Sequence, residues 1–202
     1  MTTSPLQFTP TLPPEELARA NFYALLARLF YAPPDAALLK TLGASSEPEA
    51  EEGGISKAWS ELAAAAAEAD AEEVREEYDA TFIGVGKAPV TLYTSAYSVR
   101  YTNETPLAEL RGVLAGMGLG RRTEATEPED HIAALLDVMR YLVAEQKLDL
   151  EQQKLFFERW IWPTVQPLCA AIERAEGLDF YKCVARLLLE VCTLEHRAFE
   201  ML

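Results

Sequence analysis

A chain of 202 residues with 50 % hydrophobic content is long and apolar enough to bury one sizeable core. Its 25 % charged residues exclude a disordered or fibrous chain. A net charge of -14 argues against nucleic-acid and anionic-lipid binding, which need clustered Lys and Arg, and favours a cationic partner. Much of that charge is local: Ser45 to Glu77 holds 11 acidic residues against Lys57 and Arg75. The Glu47–Glu52 cluster reads as a solvated, flexible linker.

The N-terminal Met-Thr-Thr-Ser-Pro lacks a basic region followed by an apolar one, so no secretory signal is expected. No apolar run approaches the roughly 18 residues of a membrane span, and stable membrane insertion is not expected. Cys169, Cys183 and Cys192 show no paired spacing, and the last two lie about 13 Å apart along one predicted helix, too far to bridge. They read as small buried hydrophobes in a reducing cytoplasm.

In chain order, residues 1–13 form a tail. Phe22, Leu25, Leu26, Leu29 and Phe30 then make one helical stripe within Leu17–Tyr31. Pro33 ends that helix, and Pro34-Asp35 opens a short one to about Leu42. Residues 45–54 are the acidic linker. Helices are predicted over Ser56–Glu68 and Ala71–Ile83, the latter with Val74, Tyr78 and Phe82 on one face. Leu107, Leu110, Leu114 and Met117 mark another, stopped by Gly116, Gly118 and Gly120. Ile132, Leu135, Leu136, Met139 and Leu142 mark the next. An element from about Leu150 to Ala175 is predicted to bend or split at Pro163 and Pro167. Phe180, Val184, Leu187, Leu188, Val191 and Ala198 face the core from a last helix. Strand-like alternation is nearly absent. The fold class is an all-α, single-domain helical bundle spanning 1–202.

A long aromatic loop around residues 84–102 breaks the helical pattern, with Tyr93, Tyr97 and Tyr101 among small polar residues. Two readings stay open: the rings recognise a peptide, or they plug the end of the bundle. Gly84-Val85-Gly86-Lys87 fails as a phosphate loop, because Thr81 stands where its first glycine belongs and Ala88 replaces the metal-binding hydroxyl. His131 and His196 belong to no zinc or di-iron ligand motif, and no nucleophile elbow is present. No enzyme activity and no bound cofactor are expected.

Thr126-Glu127-Pro128-Glu129-Asp130-His131 has a structural reading, with Thr126 and Glu129 as a capping box and Pro128 in the first turn. It also has a functional one: carboxylates and a histidine at a helix N-terminus could receive a guanidinium bidentately.

The string E-P-E-D-H resembles the E-P-x-D-H signature of the TorD/DmsD (NarJ-like) family of redox-enzyme maturation chaperones. Three further stretches agree in order: F-Y-A-L-L-A-R-L-F-Y-A-P-P, E-Y-D-A-T-F-I-G-V-G with P-V-T-L-Y-T-S-A-Y, and F-F-E-R-W-I-W-P. Thr81 stands where the family's aromatic-x-x-L-F element has leucine. The resemblance implies a cytoplasmic chaperone that binds the twin-arginine leader and apo form of a molybdopterin oxidoreductase catalytic subunit of the dimethyl-sulfoxide-reductase class. By motif, Glu127, Pro128, Asp130 and His131 would contact or shape the leader site, and Tyr78, Phe82, Tyr93 and Tyr97 would supply its aromatic side. Contact with a guanine nucleotide or molybdopterin follows from the resemblance alone. The linker would permit a domain-swapped dimer as well as a monomer. A generic adaptor for an unrelated amphipathic helix is the alternative function, and a metal- or nucleotide-dependent enzyme is a third.

Overall fold

The computed structural model describes residues 12–45, 53–84, 88–98, 105–121, 126–146 and 149–202. Most of the tail, the acidic cluster of the linker, residues 85–87 and Tyr101 lie outside them. The described residues form α1 (Pro14–Tyr31), α2 (Ala36–Gly43), α3 (Gly54–Glu68), α4 (Ala71–Tyr78), α5 (Ser95–Ser98), α6 (Pro106–Gly116), α7 (Ile132–Tyr141), α8 (Leu150–Trp160), α9 (Trp162–Arg174) and α10 (Phe180–Glu200). The all-α class holds, and among the described residues no helix is long and apolar enough to cross a membrane.

The helix starts follow from local chemistry. Asp35, Asp70 and Asp149 each accept backbone N–H bonds from the first turn of α2, α4 and α8, at 2.8–2.9 Å for the shortest of each. Pro14 and Pro106 occupy first turns, where a missing N–H costs no helical bond. Pro163 splits the long 150–175 element: α8 ends at Trp160, Ile161 is a turn residue at φ -108 and ψ -58, and α9 restarts at Trp162. Pro167, in contrast, sits inside α9 without ending it.

The core gathers Leu26, Leu29 and Phe30 of α1, Leu135, Leu136 and Met139 of α7, and Val184, Leu187 and Leu188 of α10. α1 lies along α7, while α10 lies between α3 and α9. Two tyrosines close the C-terminal end of α1. Tyr78 donates to the Phe30 and Tyr31 carbonyls, both at 3.1 Å, and Tyr181 donates to that of Leu29 at 3.0 Å. These bonds satisfy carbonyls that the end of a helix leaves without partners. The Glu77 carboxylate in turn accepts the N–H groups of Asp179, Phe180 and Tyr181, capping α10 from α4.

At the other end of α1, Arg19 joins three helices. Its guanidinium donates to Glu195 of α10, to Gln153 of α8 at 2.9 Å and to Glu16 at 2.8 Å. Burial alone would lower the Arg19 pKa, but the hydrogen bond and charge of Glu195 overcome this and hold it raised.

Two helices depart from the predicted regularity. Residues 71–83 are not one α-helix: after Tyr78 the chain widens into a π-helical turn over Asp79–Ile83, closed by Gly84 N–H bonding the Asp79 carbonyl at 2.8 Å. A second π-turn, Leu142–Gln146, extends α7. The first keeps Val74, Tyr78 and Phe82 all buried, as the predicted face requires. It also leaves the Thr81 carbonyl to accept the Val90 N–H at 3.1 Å, which ties the following loop to the helix.

Gly43 ends α2 where it meets α3. A Cβ there would lie 2.8 Å from the Ala67 Cα and 2.9 Å from its nitrogen, so backbone would have to move. Gly43→Ala is therefore expected to destabilise the fold by about 1–3 kcal/mol despite alanine's better helix propensity. Urea unfolding checks this through a lower midpoint at unchanged slope.

Candidate functional site

The aromatic loop folds back on the protein. Thr94 N–H bonds the Asp130 carbonyl at 2.9 Å and Ile132 N–H bonds the Leu92 carbonyl at 2.8 Å, so Tyr93 and His131 face each other across one antiparallel bridge. Residues 95–98, predicted as loop, form the short helix α5 against α9. Tyr97 is half-buried, donates to the Thr91 carbonyl at 2.9 Å and plugs the space beside α9, whereas Tyr93 stays 37 % exposed.

The E-P-E-D-H segment is not a capping box. The Pro128 carbonyl accepts the His131 N–H at 3.1 Å, closing a turn, and α7 begins only at Ile132. His131 itself is the cap: its backbone is extended, at φ -65 and ψ 132, and its Nδ1 accepts the Ala133 N–H at 3.2 Å. The pairing with Leu92–Thr94 takes the backbone groups that a helix starting at Thr126 would need for itself.

This arrangement sorts the motif by accessibility. Asp130 is 4 % exposed and accepts the Ser95 hydroxyl. His131 is 5 % exposed, and burial pushes its pKa below the ordinary value, against the opposing pull of Glu127 and Asp130. Because Nδ1 accepts a hydrogen bond, the neutral ring carries its proton on Nε2. Glu129 pairs with Arg111 of α6 at 3.0 Å. Its partial burial opposes ionisation, but its own N–H and Arg111 outweigh that and hold its pKa down. Glu127 is half-buried and has no cationic partner among the described residues; it accepts the Tyr93 hydroxyl at 2.5 Å. That bond pushes the Tyr93 pKa up to about 12, so the phenol remains a donor throughout the neutral range.

Tyr78 and Phe82 lie behind this surface. Their rings, 5.2 Å apart, pack with Tyr181 at 5.5 and 5.1 Å in one buried cluster. Burial foremost, with Glu127 and Asp79 contributing, pushes the Tyr78 pKa up to about 12. The Tyr93 and His131 rings meet edge to face, with centroids 5.5 Å apart. Tyr78, Tyr93, Glu127, Asp130 and His131 are thus brought together, with Phe82 behind them and Tyr97 to one side. Sequence reasoning missed Ser95 as the partner of Asp130, and Glu77 and Tyr181, which fix Tyr78's surroundings; Ser95 and Glu77 lie in no apolar stripe, while Tyr181 continues the Val184–Leu188 stripe of α10. Among the described residues no three His, Cys, Asp or Glu side chains converge to hold a metal ion. What the arrangement offers is an accessible carboxylate braced by a phenol, able to accept a guanidinium.

Comparison with known proteins identifies the family. The model of the nitrate reductase delta subunit family matches residues 49–170. The chain is 27 % identical over 138 residues to the chaperone protein TorD of Photobacterium profundum, across 61 % of this chain and 62 % of that protein. It therefore spans less than two thirds of that relative's length. A crystal structure of a candidate redox enzyme maturation protein from Archaeoglobus fulgidus shares the fold, with a TM-score of 0.52 at 19 % identity over 93 % of this chain and 97 % of that one. With more than half of its length matched by the family model, the chain belongs to the nitrate reductase delta subunit family, that of the TorD-type maturation chaperones.

Proposed function

We propose that the chain acts as a single all-helical chaperone domain in the cytoplasm, binding the twin-arginine leader and apo form of a molybdopterin oxidoreductase catalytic subunit until cofactor insertion is complete. The observation that carries the reading is the Tyr93–Glu127 pair: a surface carboxylate with no cationic partner among the described residues, on a protein of net charge -14, within the family's motif. A leader supplies paired arginines ahead of a short apolar segment. Glu127 receives a guanidinium, Tyr93 fixes the carboxylate's orientation, and the acidic surface speeds encounter. Pro128, Asp130 and His131 act from beneath by setting the turn on which Glu127 stands. Tyr78 and Phe82 support the same turn from the core.

Calorimetric titration with the leader of a molybdoenzyme encoded beside this chain tests the reading, with a control peptide whose two arginines are glutamine. Micromolar or tighter binding that weakens in the control supports it. Equal binding of both peptides moves the function to a generic helical adaptor. Glu127→Gln is expected to weaken leader binding by about 1–3 kcal/mol, and that cost should shrink against the double-glutamine peptide. An undiminished affinity removes Glu127 from the site.

A supporting role for His131 has its own signature. With its folded pKa below that of the unfolded chain, His131 contributes stability that is fully present above about pH 6.5. That stability is lost as pH falls through 6.5 towards the folded value, and protonation also removes the Nδ1 cap. His131→Asn retains a capping oxygen but does not titrate. Denaturant unfolding at pH 7.5 and 5.5 should show a smaller loss of stability in the variant, with leader affinity at pH 7.5 within about twofold of wild type. Equal losses would mean that His131 does not titrate differently in the folded chain.

A further inference from the structure

The Glu127 carboxylate does not stand alone at the surface. Tyr93 donates its hydroxyl to one Glu127 oxygen at 2.5 Å, and the Tyr93 ring is 37 % exposed beside it. A carboxylate offers about four acceptor positions over its two oxygens, of which the phenol takes one. The remaining positions still span both oxygens, so they suit the two parallel N–H groups of a guanidinium fork. An ammonium group is a compact point donor and gains nothing from that spread. Because phenol and carboxylate are bonded, a cation on Glu127 is also held beside the ring. A planar guanidinium there can come within the roughly 6 Å at which an aromatic face attracts it.

The ring is fixed before any ligand arrives. Backbone bonds on either side of it, from Thr94 to Asp130 and from Ile132 to Leu92, hold Tyr93 against the turn. The His131 ring meets it edge to face, with centroids 5.5 Å apart and planes at 80°. Burial pushes the His131 pKa down, so the imidazole is neutral at pH 7.5 and does not repel a cation. A ring placed in this way loses little side-chain freedom on binding. The net charge of -14 attracts arginine and lysine alike, so any choice between them is made by contacts at this pair.

We propose that Tyr93 makes the site select arginine over lysine: its hydroxyl holds the Glu127 carboxylate for a guanidinium fork, and its ring receives the guanidinium plane. This rests on the leader-binding reading above. Tyr93 is then a specificity-determining residue, while Glu127 supplies the charge that either amino acid would meet.

The test uses the full chain and three leader peptides, with paired arginines, paired lysines or paired glutamines, titrated calorimetrically at pH 7.5. Wild-type protein is expected to bind the arginine leader about tenfold more tightly than the lysine leader, and both more tightly than the glutamine one. Tyr93→Leu removes hydroxyl and ring together. It should bring the arginine and lysine leaders within about twofold of each other, with both still above the glutamine leader. Tyr93→Phe keeps the ring alone and should retain an intermediate preference. Circular dichroism checks that both variants fold. A readout on wild-type protein needs no variant: the δ-methylene protons of a leader arginine should shift upfield on binding, through the ring current of an aromatic face. An arginine preference that survives in Tyr93→Leu, or an arginine leader without the upfield shift, overturns the inference. So does wild-type protein that binds the arginine and lysine leaders alike but above glutamine, and the chaperone reading then stands on charge alone. If all three peptides bind alike, the chaperone reading fails first and the inference falls with it.

Discussion

Two backbone hydrogen bonds, from Thr94 to Asp130 and from Ile132 to Leu92, govern what the site can present. They join an irregular loop to the turn before α7 and fix which side chains turn inward. On the loop side Leu92 and Thr94 turn inward and Tyr93 outward, whereas Asp130, His131 and Ile132 of the facing segment are all buried. With Asp130 committed to Ser95, Glu129 to Arg111 and His131 to the cap of α7, the remaining acid of the turn, Glu127, is left at the surface beside Tyr93. The site is thus a consequence of pairing register. A slip of one residue on the loop side would turn Tyr93 inward and Leu92 and Thr94 outward.

The same economy is visible in how the bundle supports that turn. α1 ends on hydroxyls from Tyr78 and Tyr181, and α10 begins on the carboxylate of Glu77. Side chains from other helices therefore complete both ends, so neither end is independent of the aromatic cluster behind the site. The far end of α1 is held by the Arg19–Glu195 pair. A partly buried pair of this kind contributes more to fixing the relative placement of helices than to net stability, because desolvation offsets much of its attraction.

The helices were largely legible because their stripes are local. Leu26, Leu29 and Phe30 announce a buried face through spacing alone, and Pro163 announces a break through its missing N–H. The candidate site was legible only as a list of residue types. That Asp130 would be buried depends on Ser95, 35 positions away, and the capping of α10 by Glu77 spans 104 positions at Tyr181. Pairings of that kind leave no periodic trace. The capping box failed for a related reason: Thr126 and Glu129 have the right chemistry, but the Leu92 carbonyl competes successfully for the backbone. The π-turn at 79–83 was equally hidden, since its residues would also suit an α-helix and the loop they hold decides between the two.

That π-turn has a consequence for how such a protein diverges. A π-turn is equivalent to one residue added to an α-helix without breaking it. Removing a residue from 79–83 would restore the regular spiral, yet it would rotate all that follows by roughly 100° about the helix axis. The Thr81 carbonyl would turn away from Val90, and Tyr93 would arrive at the Asp130–Ile132 segment out of phase. Descendants of this chain can therefore exchange the exposed Ala80 and Ile83 more freely than the buried Thr81 and Phe82, but they cannot easily change the turn's length.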